Sequence, residues 1–351
     1  MVQVKNIKNV VIQNLVKNMN KKIWKEIKKA KNILLTLHPN PDGDSIGSSL
    51  ALYHVLTQIG KKVTLISGDS QISNNFFSLP GIKEIVNKNF FDLNLSDFDL
   101  FIINDIAAPN QISKIKDIIF PLDIKTIIID HHASNIGFAD INLIDSSSPS
   151  TCQLIFDLFQ SNKVKITSNI AACLFVGIYT DTGGFKYMGT TSKTFEVAAK
   201  LTKIYPEFTQ LIFDIENNDH PDRLKFLALI LSSVETYFSD SMAIATLSHQ
   251  TIKDNNLNPS AVSSSDIANI LKSITGWQIG VAIIEYQSNH IKASFRTRDS
   301  SKFDLSLIAS TLGGGGHKAA AGLVLKDTSI DEAKKLIIKN IKKIYPNIDK
   351  I

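Results

Sequence analysis

Short apolar runs rich in isoleucine and leucine recur along the first 150 residues, and three of them close on a histidine or an aspartate. KNILLTL passes into His38, followed by Pro39, Asn40, Pro41, Asp42, Gly43 and Asp44; FDLFIIN passes into Asp105; KTIIID delivers Asp130, His131 and His132 together. Runs of this length and composition, bounded by turn residues, predict buried strands. Expected strands over 32–37, 62–67, 98–104 and 125–130, with helices over 46–60 and 110–118 and a short strand over 141–145, alternate as in a parallel α/β sheet. Ligands of such sheets bind outside the carboxyl ends of the strands. One polar residue there is usually the start of a turn. Three ends that all carry metal-ligand residue types point to chemistry.

The pattern elsewhere is helical at first. Residues 8–31 read as a basic amphipathic helix packed on the first sheet with its lysines in water. From Pro149 the rhythm is helical again: QLIFDLFQ, with Ser150 and Thr151 as N-cap candidates, then SNIAACLFVGIYTD ending at Asp181, then helices over 190–204 and 221–237. Beyond these, MAIATLS, WQIGVAIIEY, HIKASFRT and AGLVLK predict strands, with helices over 304–310 and 330–345. The expected fold is α/β in two domains: a mainly parallel sheet flanked by helices over 1–204, a helical linker over 205–240, and a smaller α/β domain over 241–351. At 351 residues the chain exceeds what one core supports, and 44% apolar residues are enough for two.

Composition narrows the chemistry. A net charge of +5 suits an anionic substrate without suggesting a long nucleic-acid track. Lysine dominates, so the arginines stand out: besides Arg223 there are only Arg296 and Arg298. Those two fall on one face if ASFRTR is a strand, and a guanidinium fork reads phosphate in a way lysine cannot. Cys152 and Cys173 are too few for a disulfide framework or a zinc site, so a reducing cytoplasm is expected. No signal-peptide core and no spanning run appear, so no membrane partner is expected. The sequence leaves open whether the chain forms a homodimer.

His38, Asp42, Asp44, Asp105, His131 and Asp181 form the candidate metal shell. Two carboxylates about 4 Å apart repel by roughly 4 kcal/mol at an effective dielectric of 20, so a fold that gathers four needs cations among them. Mixed aspartate and imidazole suits Mn²⁺, with Mg²⁺ or Co²⁺ as alternatives, better than Ca²⁺. Two ions sharing one carboxylate activate water for in-line phosphoryl displacement, which makes phosphoester hydrolysis the leading reaction. A second cluster, Gly313, Gly314, Gly315, Gly316, His317 and Lys318, offers backbone N–H groups to an anion. The AAAG that follows suggests a short helix or turn. With Arg296 and Arg298 in the same domain, the cluster reads as a phosphate or nucleotide site.

HPNPDGDSIGS, the Asp105 strand end, DHH, YTDTGGF and GGGGHKAAAG, in this order and spacing, resemble the DHH phosphoesterases with a DHH-associated C-terminal domain. Within them the chain looks most like the bacterial nanoRNase/pAp-phosphatase type. The resemblance covers nearly the whole chain. It implies hydrolysis of RNA a few nucleotides long to mononucleotides, removal of a phosphate from 3′-phosphoadenosine 5′-phosphate (pAp), and a site in the cleft between the domains. It also implies one Mn²⁺ on His38, Asp42 and Asp105 and a second on Asp44, Asp105, His131 and Asp181. Asp130 would orient a histidine and His132 would face the scissile phosphate. Arg296 and His317 would hold the far end of the substrate, with the glycine run as backbone contact. Two positions depart from the family pattern: Gln153 stands where Glu is common, and Lys186 where Arg is common. A soluble cyclic or linear dinucleotide phosphodiesterase is the alternative within the same chemistry. A non-catalytic nucleotide-binding regulator is the alternative outside it.

Overall fold

A computed structural model describes residues 2–350, with side chains described for 16–259 and 261–349. The chain divides into two compact units, Met1–Asn218 and Asp219–Ile351.

In the first unit the order is α1 (Val2–Lys29), β1 (Asn32–Thr36), α2 (Gly43–Gln58), β2 (Lys62–Ile66), β3 (Leu100–Asn104), β4 (Lys125–Asp130) and β5 (Ile141–Ile144). Four helices follow: α3 (Thr151–Ser161), α4 (Ser168–Asp181), α5 (Ser192–Ile204) and α6 (Phe208–Glu216). The sheet is wholly parallel in the order β2-β1-β3-β4-β5. Period-two alternation divides its side chains. Ile33, Leu35, Ile102, Ile127 and Ile129 pack under the helices, and Leu34, Phe101, Ile103 and Ile128 pack on the other face.

All six helices contribute to the first of these cores; Ile23 and Ile27 anchor α1 there. The part of the amphipathic reading that falls on residues 8–15 lies outside the described side chains. The other face is covered by loops and single 3-10 turns and not by an α-helix among the described residues, through Phe90, Phe120 and Phe138 with Phe101. The helix expected over 110–118 does not form beyond a single turn at Pro109–Gln111. Asp69 explains why: it accepts from the Ser113 hydroxyl (2.7 Å) and the Lys114 N–H (2.6 Å), holding the segment in a non-helical path.

The second unit runs α7 (Asp222–Ser232), β6 (Glu235–Tyr237), β7 (Met242–Leu247), α8 (His249–Asp254), α9 (Ser264–Ser273), β8 (Ile279–Gln287) and β9 (His290–Thr297). It continues with α10 (Leu305–Ser310), β10 (Gly315–His317), β11 (Ala320–Lys326) and α11 (Ile330–Ile344). Its sheet order is β10-β11-β9-β8-β7-β6, parallel only between β7 and β8. α10 and α11 pack on one face, and α7, α8 and α9 on the other.

Three expectations change here. Residues 205–240 are divided between the units, with α6 on the first core and α7 on the second. The helix expected over 221–237 stops at Ser232, because the Ser233 hydroxyl turns to β7, donating to Thr246 O and accepting from Thr246 N–H, and β6 then joins that edge. The AAAG run is not helical: after a tight turn Ala320 opens β11, pairing with β9.

The crossing of α2 and α4 sets the distance between the elements that carry acid groups. A Cβ at Gly177 would lie 2.1 Å from Cys152 Sγ and 2.8 Å from Asp44 Oδ1, and one at Gly47 would lie 2.4 Å from Cys173 O. Gly177→Ala should therefore cost about 1–3 kcal/mol through overpacking, read as a lower Tm. Cys152→Ala in the same chain should restore part of the loss. An unchanged Tm in the single variant would mean that the helices do not meet this closely.

Candidate metal centre

β1, β3 and β4 are adjacent, so their carboxyl ends bring His38, Asp105 and the Asp130-His131-His132 run side by side. Asp105 sits at the middle of the group. It is 2% exposed, and its backbone is left-handed with φ 59°. Its N–H donates to Ile129 O at 3.0 Å, and its Oδ1 accepts from the Thr151 hydroxyl at 3.0 Å. Oδ2 faces His38 Nε2 at 3.6 Å, while Oδ1 faces His131 Nε2 at 3.6 Å.

Two helix starts and one helix end supply the other carboxylates. Asp42 caps α2, its Oδ1 accepting from the Asp44 and Ser45 N–H groups at 3.0 Å each, and lies 3.7 Å from His38 Nε2. Asp44 is buried in the first turn of α2 and caps a different helix: its oxygens accept from the Thr151 N–H (2.6 Å) and the Cys152 N–H (2.9 Å) of α3. Both are free donors of a helix N-terminus, where negative charge is favoured. Asp181, the last residue of α4, stands 3.2 Å from His131 Nε2.

Ligand atoms of His38, Asp42 and Asp105 lie within 4.8 Å of one another, as do those of Asp44, His131 and Asp181. The Asp105, His131 and His132 set is equally close. His132 is nonetheless engaged elsewhere, since its Nδ1 pairs with Asp130 Oδ1 at 2.7 Å. Asp130 is fully buried, and its other oxygen accepts from Asn135 Nδ2 at 2.7 Å; the same amide donates to Ile106 O at 3.0 Å.

Electrostatics bear the mark of crowded carboxylates. Burial, then the charges of Asp105 and Asp181, hold the Asp44 carboxyl well above its ordinary range. Burial, then Asp105 and Asp42, push Asp181 up to about 8. Burial alone would lower His38, but hydrogen bonding to Asp105 and Asp42 outweighs it and raises the imidazole to about 10. His132 rises to about 9 through its bond to Asp130, while burial keeps His131 low. Crowding of this kind favours the protonated forms of Asp181 and His38 in the absence of other positive charge, and hard divalent ions fit the donor set of aspartate oxygens and imidazole nitrogens.

The second unit holds the other candidate residues. Arg296 on β9 and His317 on β10 both pair with Ala320 of β11, so the three share one cross-strand row, with a small side chain between two long ones. Gly314 and Gly316 are required by packing, because a Cβ would strike Gly322 O at 2.3 Å or Ala321 Cα at 2.5 Å; Gly315 has open space above it, and Gly313 adopts φ 79°. Lys318 lies in the turn before β11 with Asp304 at 3.9 Å. Arg298 falls beyond β9, and its Nη1 donates to the carbonyls of Lys272, Ser273 and Ile274, closing the end of α9.

Reading the motifs alone did not single out Thr151 as a support for Asp105 or Asn135 as a support for Asp130. Asn135, an amide buried three residues past His132, is the only one with a local signal. Gln153 is buried in α3, and its Oε1 has no hydrogen-bond partner among the described residues.

Parallel strand ends that converge on buried aspartates and histidines define an α/β protein with a candidate divalent-metal centre. The chain belongs to the DHH family: the DHH N-terminal domain matches residues 32–178 and the DHHA1 domain residues 240–343. A bifunctional oligoribonuclease and PAP phosphatase, NrnA of Thermus thermophilus, is 27% identical over 88% of this chain and 89% of its own length. The cyclic-di-AMP phosphodiesterase PdeA of Listeria monocytogenes is 27% identical over 90% of this chain but only 48% of its own. The crystal structure of an exopolyphosphatase-related protein from Bacteroides fragilis superposes with a TM-score of 0.85 at 25% identity, covering 94% of this chain and 97% of that one. Among the described residues no helix is long and apolar enough to cross a membrane.

Loading a cation must expel the protons that Asp181 and His38 hold at pH 7. Titration calorimetry of Mn²⁺ into chelator-treated protein in two buffers of different ionisation enthalpy should therefore show proton release. Apparent affinity should rise from pH 6 to pH 8, as Asp181 loses its proton more readily. Heats independent of the buffer would contradict the protonated state described.

Proposed function

We propose that the protein is a metal-dependent phosphoesterase that hydrolyses very short RNA to mononucleotides and removes the 3′-phosphate of pAp. One observation carries the chemistry: Asp105 turns one oxygen toward His38 and the other toward His131, the disposition a carboxylate shared by two ions requires. The substrate reading is supported by similarity over most of both chains to a relative named for oligoribonuclease and PAP phosphatase activity.

In this reading His38, Asp42 and Asp105 hold one Mn²⁺, and Asp44, Asp105, His131 and Asp181 hold another. Such ions, when bound, supply an activated water and neutralise charge on the phosphoryl oxygens. The chain's own part is orientation. Asp130 accepts from His132 Nδ1, which fixes the ring, favours its protonated form and leaves Nε2 for a phosphate oxygen. Arg296 and His317, with the unobstructed Gly315 on the same edge strand as His317, are the substrate-binding residues of the second unit. Arg298 is left out, because its Nη1 closes α9. Two free, buried cysteines suit a cytoplasmic setting.

A dinucleotide phosphodiesterase is the second reading, favoured by the similarity to PdeA. A non-catalytic regulator would tolerate a degenerate metal centre, whereas all six ligand positions are present and gathered.

Turnover of RNA two to about twenty-four nucleotides long, assayed beside pAp and cyclic di-AMP with Mn²⁺ or chelator, separates these readings. Metal-dependent hydrolysis concentrated on the shortest RNAs and pAp is expected. Turnover confined to dinucleotides favours the second reading, and none at all favours the regulator. Asp105→Asn, which keeps a residue tolerant of the left-handed backbone, should lower kcat at least 10³-fold, on the order of 4 kcal/mol. Arg296→Ala with His317→Ala should chiefly raise KM; an unchanged KM would remove those residues from substrate binding.

A further inference from the structure

Beside the carboxyl end of β2 the first unit contains a cavity of about 480 Å³ that the metal centre does not use. Its floor is Ile82 and Ile85, half-buried and packed on the main core, and its wall is Phe77, which leaves 57% of its surface exposed. Around this apolar surface stand the carboxamides of Gln71 and Asn87 and the ammonium of Lys83. The Ser67 hydroxyl donates to Asn87 Oδ1 at 3.3 Å, which fixes that amide and leaves its NH₂ as donor. An exposed aromatic ring beside amide donors and acceptors is the chemistry that recognises a nucleobase, and a nearby ammonium suits an attached phosphate.

Position supports the same occupant. β2 neighbours β1, whose end carries His38, and the Val86 segment pairs on the outer side of β2. Two strand spacings place the cavity about 10 Å from the His38 end of the sheet. The loop that forms it is anchored on both sides. Asn40, in the metal loop, donates its N–H to Ser70 Oγ at 2.8 Å, and Asn75 Nδ2 donates to Ile215 O at 2.7 Å.

We propose that this cavity is a subsite for the base of a nucleotide whose phosphate lies toward the metal centre, with Phe77 as the stacking surface and Asn87 and Gln71 reading the base edge. The proposal rests on the phosphoesterase reading for its role, but the binding it asserts can be measured without turnover. Phe77→Trp keeps the ring and adds a fluorophore. In chelator, AMP should quench it saturably, ribose 5-phosphate should compete at least tenfold less well, and adding Asn87→Ala should weaken AMP about tenfold.

Absent quenching, or ribose 5-phosphate competing equally, would overturn the base pocket. Kinetically, Phe77→Ala should lower kcat/KM for a diribonucleotide about tenfold more than for bis(p-nitrophenyl) phosphate, which has no base; equal losses would also overturn it. Quenching by AMP in a protein that hydrolyses neither substrate would uphold the cavity while removing the phosphoesterase reading.

Discussion

Mutual repulsion among Asp42, Asp44, Asp105 and Asp181 is the constraint on which the rest of the first unit depends. Carboxylates that could separate would do so, and each is instead fastened by backbone that cannot move alone. Asp42 is held by the N–H groups opening α2, and Asp44 by those opening α3. Asp181 is held in place by the close glycine-lined crossing of α2 and α4. Asp105 is held through its pairing to β4 and the hydroxyl of Thr151. Helix dipoles and buried N–H donors thus supply part of the stabilisation that cations complete.

The second unit solves a different problem. It has two cores of its own, one on each face of its sheet, and among its outer strands small residues replace large ones. Glycine at 314 and 316 lets β10 lie against β11, and Ala320 keeps the space between Arg296 and His317 low. Strand packing thus explains Gly314 and Gly316 and the left-handed backbone explains Gly313, which leaves Gly315 as the glycine that neither requirement accounts for.

The strands of the first sheet were legible because their isoleucine runs are short, continuous and closed by polar residues, and a sheet buried on both faces demands that pattern. That the six candidate residues would gather was legible for a related reason: five follow a strand or start a helix after one, and Asp181 ends an apolar helix. Segment 110–118 was not, because its fate is decided by Asp69, more than forty residues away. Six-residue α8 is too short to announce a period, and β6 takes its conformation from the edge it joins. α9 did carry a period in Ile267, Ile270 and Leu271, behind a Ser263–Asp266 capping box that the strand-rich surroundings obscured. Arg298 misled for a related reason. Spacing two residues from Arg296 suggests a shared face, but the strand ends between them, and a helix terminus has the stronger claim on the guanidinium.

The positive φ of Asp105 narrows the amino acids that this position can hold. Left-handed backbone disfavours most side chains and tolerates Gly, Asn and Asp. Glycine would relax the chain and carry no ligand atoms, asparagine would fit and carry no charge, and glutamate would carry the charge on a less tolerant backbone and a longer arm. Backbone geometry and charge are separate requirements, and aspartate meets both. The bend that lifts this carboxylate into the centre of the site thus selects the residue as strictly as the metal chemistry does.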